Sequence, residues 1–169
     1  MQDRVTASVV TAITPKLEQA ETDRAKRKRT ENLNAYHYFL RGMASFYRCA
    51  KEANGKALRM FYRAIDLDPD FAAACGMAAA CYGQRYGNNW MIDPSQEVAE
   101  AVRLARQAVE LGRDDAVALC TGGHVLDYLG RDPEAGAVFI DRARTLNPNL
   151  APAWALILLS HKHESVGRI

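Results

Sequence analysis

Three stretches of the chain resemble one another closely enough to be copies of one structural unit. Each ends a run of small and apolar residues with an Asn- or Asp-rich turn, at residues 64–72, 108–116 and 143–151. Pro69 and Arg113 lie 44 residues apart, and Arg113 and Pro148 lie 35 residues apart. Self-similarity with a period near ~34 residues is typical of stacked helix–turn–helix units. The sequence therefore predicts an all-α solenoid of about three repeats plus a final helix.

The repeats resemble the tetratricopeptide type, in which small and bulky residues alternate where helix A and helix B of a unit cross. We expect units at about residues 37–70, 72–114 and 116–149, followed by a final helix at 151–165 that carries Trp154. The predicted core of the first unit is Leu40, Met43, Ala44, Tyr47, Ala57, Phe61 and Ala64. That of the second is Cys75, Ala78, Ala79, Tyr82, Ala101, Ala105 and Ala108. That of the third is Leu119, Gly122, Gly123, Leu126, Gly136, Ile140 and Ala143.

Breaker residues predict the turns inside the units. Asn54-Gly55 is expected to join the helices of the first unit, and 130–133 those of the third. An insertion of about ten residues around 86–94 is expected to form a loop in the second unit, with Asp93 or Ser95 capping the next helix. A shifted register of the first unit, with Gly42 at the helix crossing, would bury Arg41 and Ser45 and is the less favoured alternative.

We expect residues 1–30 to form a separate helical segment and connector before the array at 31–169. An apolar residue recurs every fourth position, which predicts a helix with one apolar face, although Pro15 interrupts it and can begin a new helix. The stripe consists of Val5, Val9, Ile13 and Leu17. The basic run 24–29 is interpreted as a solvated connector, because it lacks the interleaved aromatic residues of a nucleic-acid surface.

Composition and motifs argue against a catalytic function. The net charge of +2 is too small to indicate binding to nucleic acid or to a membrane surface. The sequence also lacks glycine-rich phosphate loops and nucleophile elbows. The four cysteines form no CxxC pair and are expected to be reduced, as in a cytoplasmic protein. Asp114-Asp115 is interpreted as a turn and helix cap, and His161 and His163 as surface residues. We therefore predict no catalytic, cofactor or metal site.

What remains is a binding surface along the A helices, where a protein or peptide ligand is expected. Its predicted lining is Tyr38, Arg41, Ser45, Arg48, Gly76, Ala80, Cys120, His124 and Asp127. Arg41 and Arg48 favour an acidic ligand, because a guanidinium forms charge-assisted bonds to carboxylates. The Lys and Asn carboxylate clamp of chaperone-binding tetratricopeptide domains has no counterpart at these positions.

Residues 2–10, the basic run 24–29 and residues 36–42 resemble the C-terminal part of bacterial class III adenylate/guanylate cyclases. In that family a cyclase domain is followed by a TolB-like domain and tetratricopeptide repeats. The resemblance implies that residues 2–28 are the last helix of the TolB-like domain plus its connector. None of these residues matches the cyclase metal-binding aspartates, so no catalytic role is carried over.

The sequence therefore predicts a non-catalytic interaction or regulatory module from the C-terminal part of a nucleotide cyclase, with signal transduction as its setting. The alternative is a structural self-association module of a multidomain signalling or transcriptional regulator. The apolar stripe of residues 5–17 and the apolar helix around Trp154 lack partners within the repeat pattern. A homodimer that covers them is favoured over folding of the N-terminal helix back onto the array.

Overall fold

The structure, a computed structural model, describes residues 32–150, which form six α-helices and no strand. The helices are α1 (Leu33–Phe46), α2 (Lys51–Leu67), α3 (Ala72–Gly87), α4 (Pro94–Leu111), α5 (Ala116–Tyr128) and α6 (Pro133–Leu146). Consecutive helices pair as α1–α2, α3–α4 and α5–α6, and α3 also packs against α2 and α5. The predicted all-α fold of stacked helix pairs is confirmed.

Short polar side chains begin four of the helices. Asn32, Asp93, Asp115 and Asp132 each accept a hydrogen bond from a backbone N–H group in the first turn of the helix that follows. A capping oxygen satisfies N–H groups that have no partner within the helix. The predicted caps at Asp93 and Asp115 and the turn before α6 are confirmed. The loop before α4 is confirmed only over residues 88–93, because Tyr86 and Gly87 belong to α3 and Pro94 begins α4.

Small residues let the helices of the second and third units touch. A Cβ atom added at Gly76 of α3 would overlap Thr121 Oγ1 of α5, and one at Gly122 would lie 2.7 Å from Val109 Cγ1 of α4. The predicted cores of these two units are buried, apart from Ile140, which is half-buried. Helix α3 is buried at every position from Ala72 to Gln84, so it forms the centre of the packed array.

The predicted register of α1 is wrong. Leu40, Ala44 and Tyr47 are exposed and Met43 is half-buried, whereas the buried residues are Ala35, Phe39, Gly42, Ser45 and Phe46. A Cβ atom at Gly42 would lie 2.6 Å from the Phe61 ring, so only glycine lets α1 approach α2 this closely. The shifted register is therefore the correct one for Gly42 and Ser45, but Arg41 remains exposed.

The turn predicted at Asn54-Gly55 is also wrong, because both residues lie inside α2. The chain reverses instead between Phe46 and Lys51, where Cys49 adopts a positive φ of 47°. Asn54 is almost fully buried, and its side-chain amide donates to the Cys81 carbonyl at 3.0 Å. Tertiary hydrogen bonding thus overrides the turn preference of the Asn-Gly pair.

Some sequence-based expectations lie outside the described residues. These are the helix at 2–28, the basic connector, the final helix at 151–165 with Trp154, and the surface positions of His161 and His163.

We predict that Phe61→Ala lowers the free energy of unfolding by about 3–5 kcal/mol, the usual range for a buried aromatic residue. Phe61 is fully buried, and its ring lies 5.8 Å from that of Phe39. Urea denaturation followed by circular dichroism measures the change. Val138→Ala is the control, because Val138 is exposed on α6 and should change stability by less than about 0.5 kcal/mol. A loss below about 1 kcal/mol for Phe61→Ala would contradict the packing of α1 on α2.

Candidate ligand-binding surface

Three ring side chains form a cluster where α3 and α5 end. The Tyr86 and Tyr128 ring centroids are 5.4 Å apart at 86°, an edge-to-face contact. His124 lies one turn before Tyr128, and its ring stacks on Tyr128 at 5.6 Å and 22°. Edge-to-face and offset-stacked pairs are the favoured aromatic geometries. Because Tyr86 is exposed and the other two are half-buried, the cluster presents ring surface to solvent.

The cluster can recognise both apolar and polar groups. Burial, followed by the neighbouring Tyr86, raises the pKa of Tyr128 further above neutral pH. Asp127 is exposed next to Tyr128 in the chain. Tyrosine combines a large apolar ring with one hydrogen-bonding group, which suits it to contacts between proteins.

The insertion loop beside this cluster is anchored by a polar network that begins in α2. The buried Asn54 side chain donates to Gln84 Oε1 at 2.9 Å and accepts from Arg85 Nε at 2.7 Å. Arg85 then donates to Glu97 Oε2 of α4 at 3.0 Å. The network therefore joins α2, α3 and α4 through groups that are mutually satisfied, which is the condition under which buried polar groups stabilise a fold.

Glu97 connects this network to the backbone of the insertion loop. Its Oε1 atom accepts from the backbone N–H of Ile92 at 2.7 Å and from that of Asp93 at 3.4 Å. On the α3 side, the N–H of Trp90 donates to the Arg85 carbonyl at 2.8 Å. Ile92, held at the end of this chain of contacts, is 90% exposed. The loop thus presents an apolar side chain to solvent on a hydrogen-bonded frame.

A second polar cluster joins α2, α3 and α4 further along the array. Tyr62 donates to Glu100 Oε1 at 2.8 Å, and its oxygen lies 3.1 Å from that of Tyr82. Both Nε and an Nη of Arg103 donate to the Glu100 carboxylate at 2.7 Å. Burial, followed by these hydrogen bonds, raises the pKa of Tyr62, while the Arg103 hydrogen bond lowers that of Glu100. Because each member already bonds to another, we interpret this cluster as structural.

The structure disperses the residues expected to line the ligand surface. Ser45, Gly76, Ala80 and Cys120 are buried. The Ser45 hydroxyl group donates to the Arg41 carbonyl, and Gly76 lies against Thr121 of α5. Burial raises the pKa of the Cys120 thiol to about 11, which leaves it protonated and unreactive. His124 belongs to the ring cluster and is half-buried, and Asp127, the residue before Tyr128 in the chain, is exposed.

Tyr38 and Arg41 lie on α1, and Arg48 lies in the turn that follows it. Phe39 packs against Phe71 at the start of α3, with ring centroids 5.0 Å apart. Arg41 follows two residues later, which places it about 200° around the helix from Phe39. Arg41 and Arg48 are exposed, and Tyr38 is half-buried.

Sequence reasoning missed Tyr86, Tyr128 and the Asn54 network. Tyr128 lies four residues after His124, a spacing that places both on one face of α5 and could have indicated the pair. Tyr86 was interpreted only as part of a loop. Nothing local identifies Asn54, because its partners lie 27 to 31 residues further along the chain.

Within residues 32–150 the cysteines are free thiols, Cys49 exposed and the other three buried. The same residues contain no group of His, Cys, Asp and Glu side chains that could hold a metal ion. None of the six helices has the length and apolar character required to span a membrane.

We predict that acid destabilises the fold partly through Glu97. Burial acts to raise the pKa of this carboxyl, but hydrogen bonds from Ile92, Arg85 and Asp93 outweigh it and lower the pKa. A group with a lowered folded-state pKa stabilises the fold above its unfolded pKa, about 4.3 for Glu, and this stabilisation is lost as the pH falls through the folded value.

Urea denaturation between about pH 6 and pH 3 should therefore show a falling unfolding free energy, with a shallower fall for Glu97→Gln. Glu110→Gln on the exposed side of α4 is the matched control and should retain the wild-type slope. Equal slopes for wild type and Glu97→Gln would show that the ion pair with Arg85 does not contribute.

Comparison with known proteins agrees with a repeat fold. No protein-family model matches the chain. The protein described as "Putative adenylate cyclase 3" of Rhizobium meliloti (strain 1021) is 26% identical over 135 residues. The alignment covers 80% of this chain and 23% of that protein, so the chain spans about a quarter of the length of this relative.

Among solved structures, the first TPR of Spaghetti (RPAP3) bound to the HSP90 peptide SRMEEVD is similar with a TM-score of 0.54 and 19% identity. The similarity covers 81% of this chain and 99% of that one. The six helices therefore have a tetratricopeptide-like fold.

Proposed function

We propose that this chain is a non-catalytic module that binds a protein or peptide segment. The observation that carries the proposal is the ring cluster of Tyr86, His124 and Tyr128, which stays accessible while the middle of the A-helix surface is closed by helix contacts. Accessible aromatic side chains on a rigid scaffold are typical centres of protein recognition. The exposed Ile92 on the anchored loop adds apolar surface next to α4.

We further propose that the module is the C-terminal part of a nucleotide cyclase-type signalling protein that acts in the cytoplasm. Similarity to the protein described as a cyclase supports this parent, since it extends over most of this chain and only part of that protein. The free thiols at Cys49, Cys75, Cys81 and Cys120 are consistent with a reducing compartment.

We also propose that the first unit binds an acidic ligand. The exposed residues Arg41 and Arg48 are seven residues apart, Arg41 in the second half of α1 and Arg48 in the turn that follows this helix. Each can form charge-assisted bonds to carboxylates. The peptide SRMEEVD, which the first TPR of Spaghetti binds, is therefore a useful acidic probe of these two residues.

Self-association is the competing function. The observation in its favour is the exposure of Leu33, Leu40 and Tyr47 along α1, an apolar face of the kind that two copies of a chain can share. Light scattering over a range of concentrations distinguishes this function from ligand binding, because only self-association raises the mass of the isolated chain.

We predict that Tyr128→Ala weakens ligand binding about tenfold, the effect of truncating one aromatic anchor residue. Peptides that bind the wild-type chain are first selected from a displayed random-peptide library. The affinities of these peptides for the wild type and for each variant are then measured. Val138→Ala, which truncates an exposed residue on α6, is the matched control and should bind like wild type.

Arg41→Ala distinguishes binding at the surface of Arg41 and Arg48 from binding at the ring cluster. It should weaken acidic peptides, including SRMEEVD if that binds, and leave neutral binders unchanged. If no peptide is enriched, or if Tyr128→Ala binds every selected peptide as tightly as wild type, the ring cluster is not the ligand site.

The isolated chain should form no cyclic nucleotide from ATP or GTP in the presence of Mg²⁺ or Mn²⁺. The physical reason is that its sequence carries no counterpart of the cyclase metal-binding aspartates. Chromatographic detection against a heat-killed sample is the assay. Turnover above that control would contradict the non-catalytic assignment, and a cyclase domain in the coding sequence upstream of Met1 would support the proposed parent.

A further inference from the structure

Helix α1 is apolar on two sides. Its inner side, with Phe39, Gly42 and Phe46, packs in the core. On the outside Leu33 is 83%, Leu40 47% and Tyr47 50% exposed. These three residues recur every seventh position, so they lie along one face of the helix.

The third unit shows what normally covers this face. Gly42 of α1 and Gly123 of α5 occupy equivalent places, since an added Cβ would lie 2.6 Å from Phe61 at one and 3.2 Å from Ile140 at the other, each in the partner helix of the unit. This alignment matches Leu40 with Thr121, Ala44 with Val125 and Tyr47 with Tyr128.

In α5 the matching residues pack against the preceding unit. Thr121 lies against Gly76 of α3, Val125 is fully buried, and the ring of Tyr128 contacts that of Tyr86. In α1 the same positions are exposed. The outer face of α1 is therefore a stacking face that, in the third unit, contacts a helix of the unit before it.

We propose that residues 2–13 of the same chain occupy the outer face of α1 as an antiparallel helix. Val5, Val9 and Ile13 recur every fourth residue, which places them on one apolar side of a helix. From Val5 to Ile13 such a helix extends about 12 Å, and from Leu40 to Tyr47 α1 extends about 10.5 Å. The two apolar faces are therefore matched in length.

The connection favours the antiparallel direction. Pro15 ends the first helical pattern, and residues 14–31 remain to link it to α1. As a random coil, a link of this length would span about 23 Å on average, more than the 8–10 Å or so between packed helix axes. The antiparallel arrangement brings Ile13 towards Leu40 and Val5 towards Tyr47. It also brings Asp3 near Arg48, an opposite charge at the edge of the face.

Tethering favours this occupant over a second copy of the chain. A short flexible link gives an attached segment an effective concentration in the millimolar range. A second copy that offers only Leu33, Leu40 and Tyr47 reaches that concentration only when the protein itself is this concentrated. At micromolar concentrations the attached segment therefore occupies the face first.

Disulfide trapping in the full chain tests the proposal. Cys49→Ser removes the exposed thiol, and Val9→Cys with Ala44→Cys then places one thiol on each face. Ala7→Cys with Ala44→Cys is the matched control, because residue 7 lies about 200° around the helix from residue 9. Val5→Cys with Leu40→Cys tests the parallel direction, because the antiparallel arrangement places Val5 beside Tyr47 instead. Non-reducing electrophoresis separates cross-links within a chain from those between chains, and circular dichroism checks that each variant is folded.

We expect the Val9–Ala44 pair to cross-link within one chain at roughly ten times the yield of the control, because a disulfide requires closely spaced Cα atoms. Adding Leu40→Asp should reduce that yield while the helical signal is retained. Equal yields for the Val9 pair and its control, or preferential cross-linking of the Val5–Leu40 pair, would overturn the proposed arrangement. A product of doubled mass would overturn the occupant and support a dimer.

Discussion

Helix α3 contacts α2, α4 and α5 at once, and the rest of the array depends on how closely these helices approach it. A helix surrounded in this way must carry small side chains on several faces, because packed interiors leave little space between helix backbones. Its sequence from Ala72 to Ala80 is accordingly dominated by Ala, with Gly76 where α5 crosses. Burial of these short side chains contributes little each, so the larger Phe71 and Met77, both fully buried, supply much of the apolar area.

The same close packing determines where polar groups can be placed. Towards its C-terminal end α3 carries Gln84 and Arg85, whose polar atoms would be costly to bury without partners. Asn54 from α2 and Glu97 from α4 supply those partners, so the end of α3 is joined to both neighbours. Glu97 in turn bonds to the backbone of Ile92. The position of the insertion loop therefore follows from the need to satisfy the end of one central helix.

The repeat pattern predicted the helix order, the caps and the cores of the second and third units, because small residues recur where these helices must touch. It failed in the first unit for two physical reasons. Helix α1 is apolar on both sides, so apolarity alone cannot tell Leu40 from Phe39 as the core residue. The Asn-Gly pair is locally a turn, and only partners distant in sequence make a buried Asn54 favourable. The sequence does not predict the ring cluster for a similar reason, because Tyr86 and Tyr128 come into contact only when α3 packs against α5.

Stacking also explains why the accessible ring side chains lie away from the centre of the array. The contacts that bring α3 and α5 together bury Gly76, Ala80 and Cys120, and so remove the middle of the A-helix surface from solvent. Tyr128 and Tyr47 occupy equivalent places in their units, and the ring of Tyr128 packs against Tyr86 of the preceding unit. In a solenoid every unit has a stacking face, and a helix of the preceding unit covers that face. The first described helix must therefore obtain from elsewhere the contact that α5 obtains from α3.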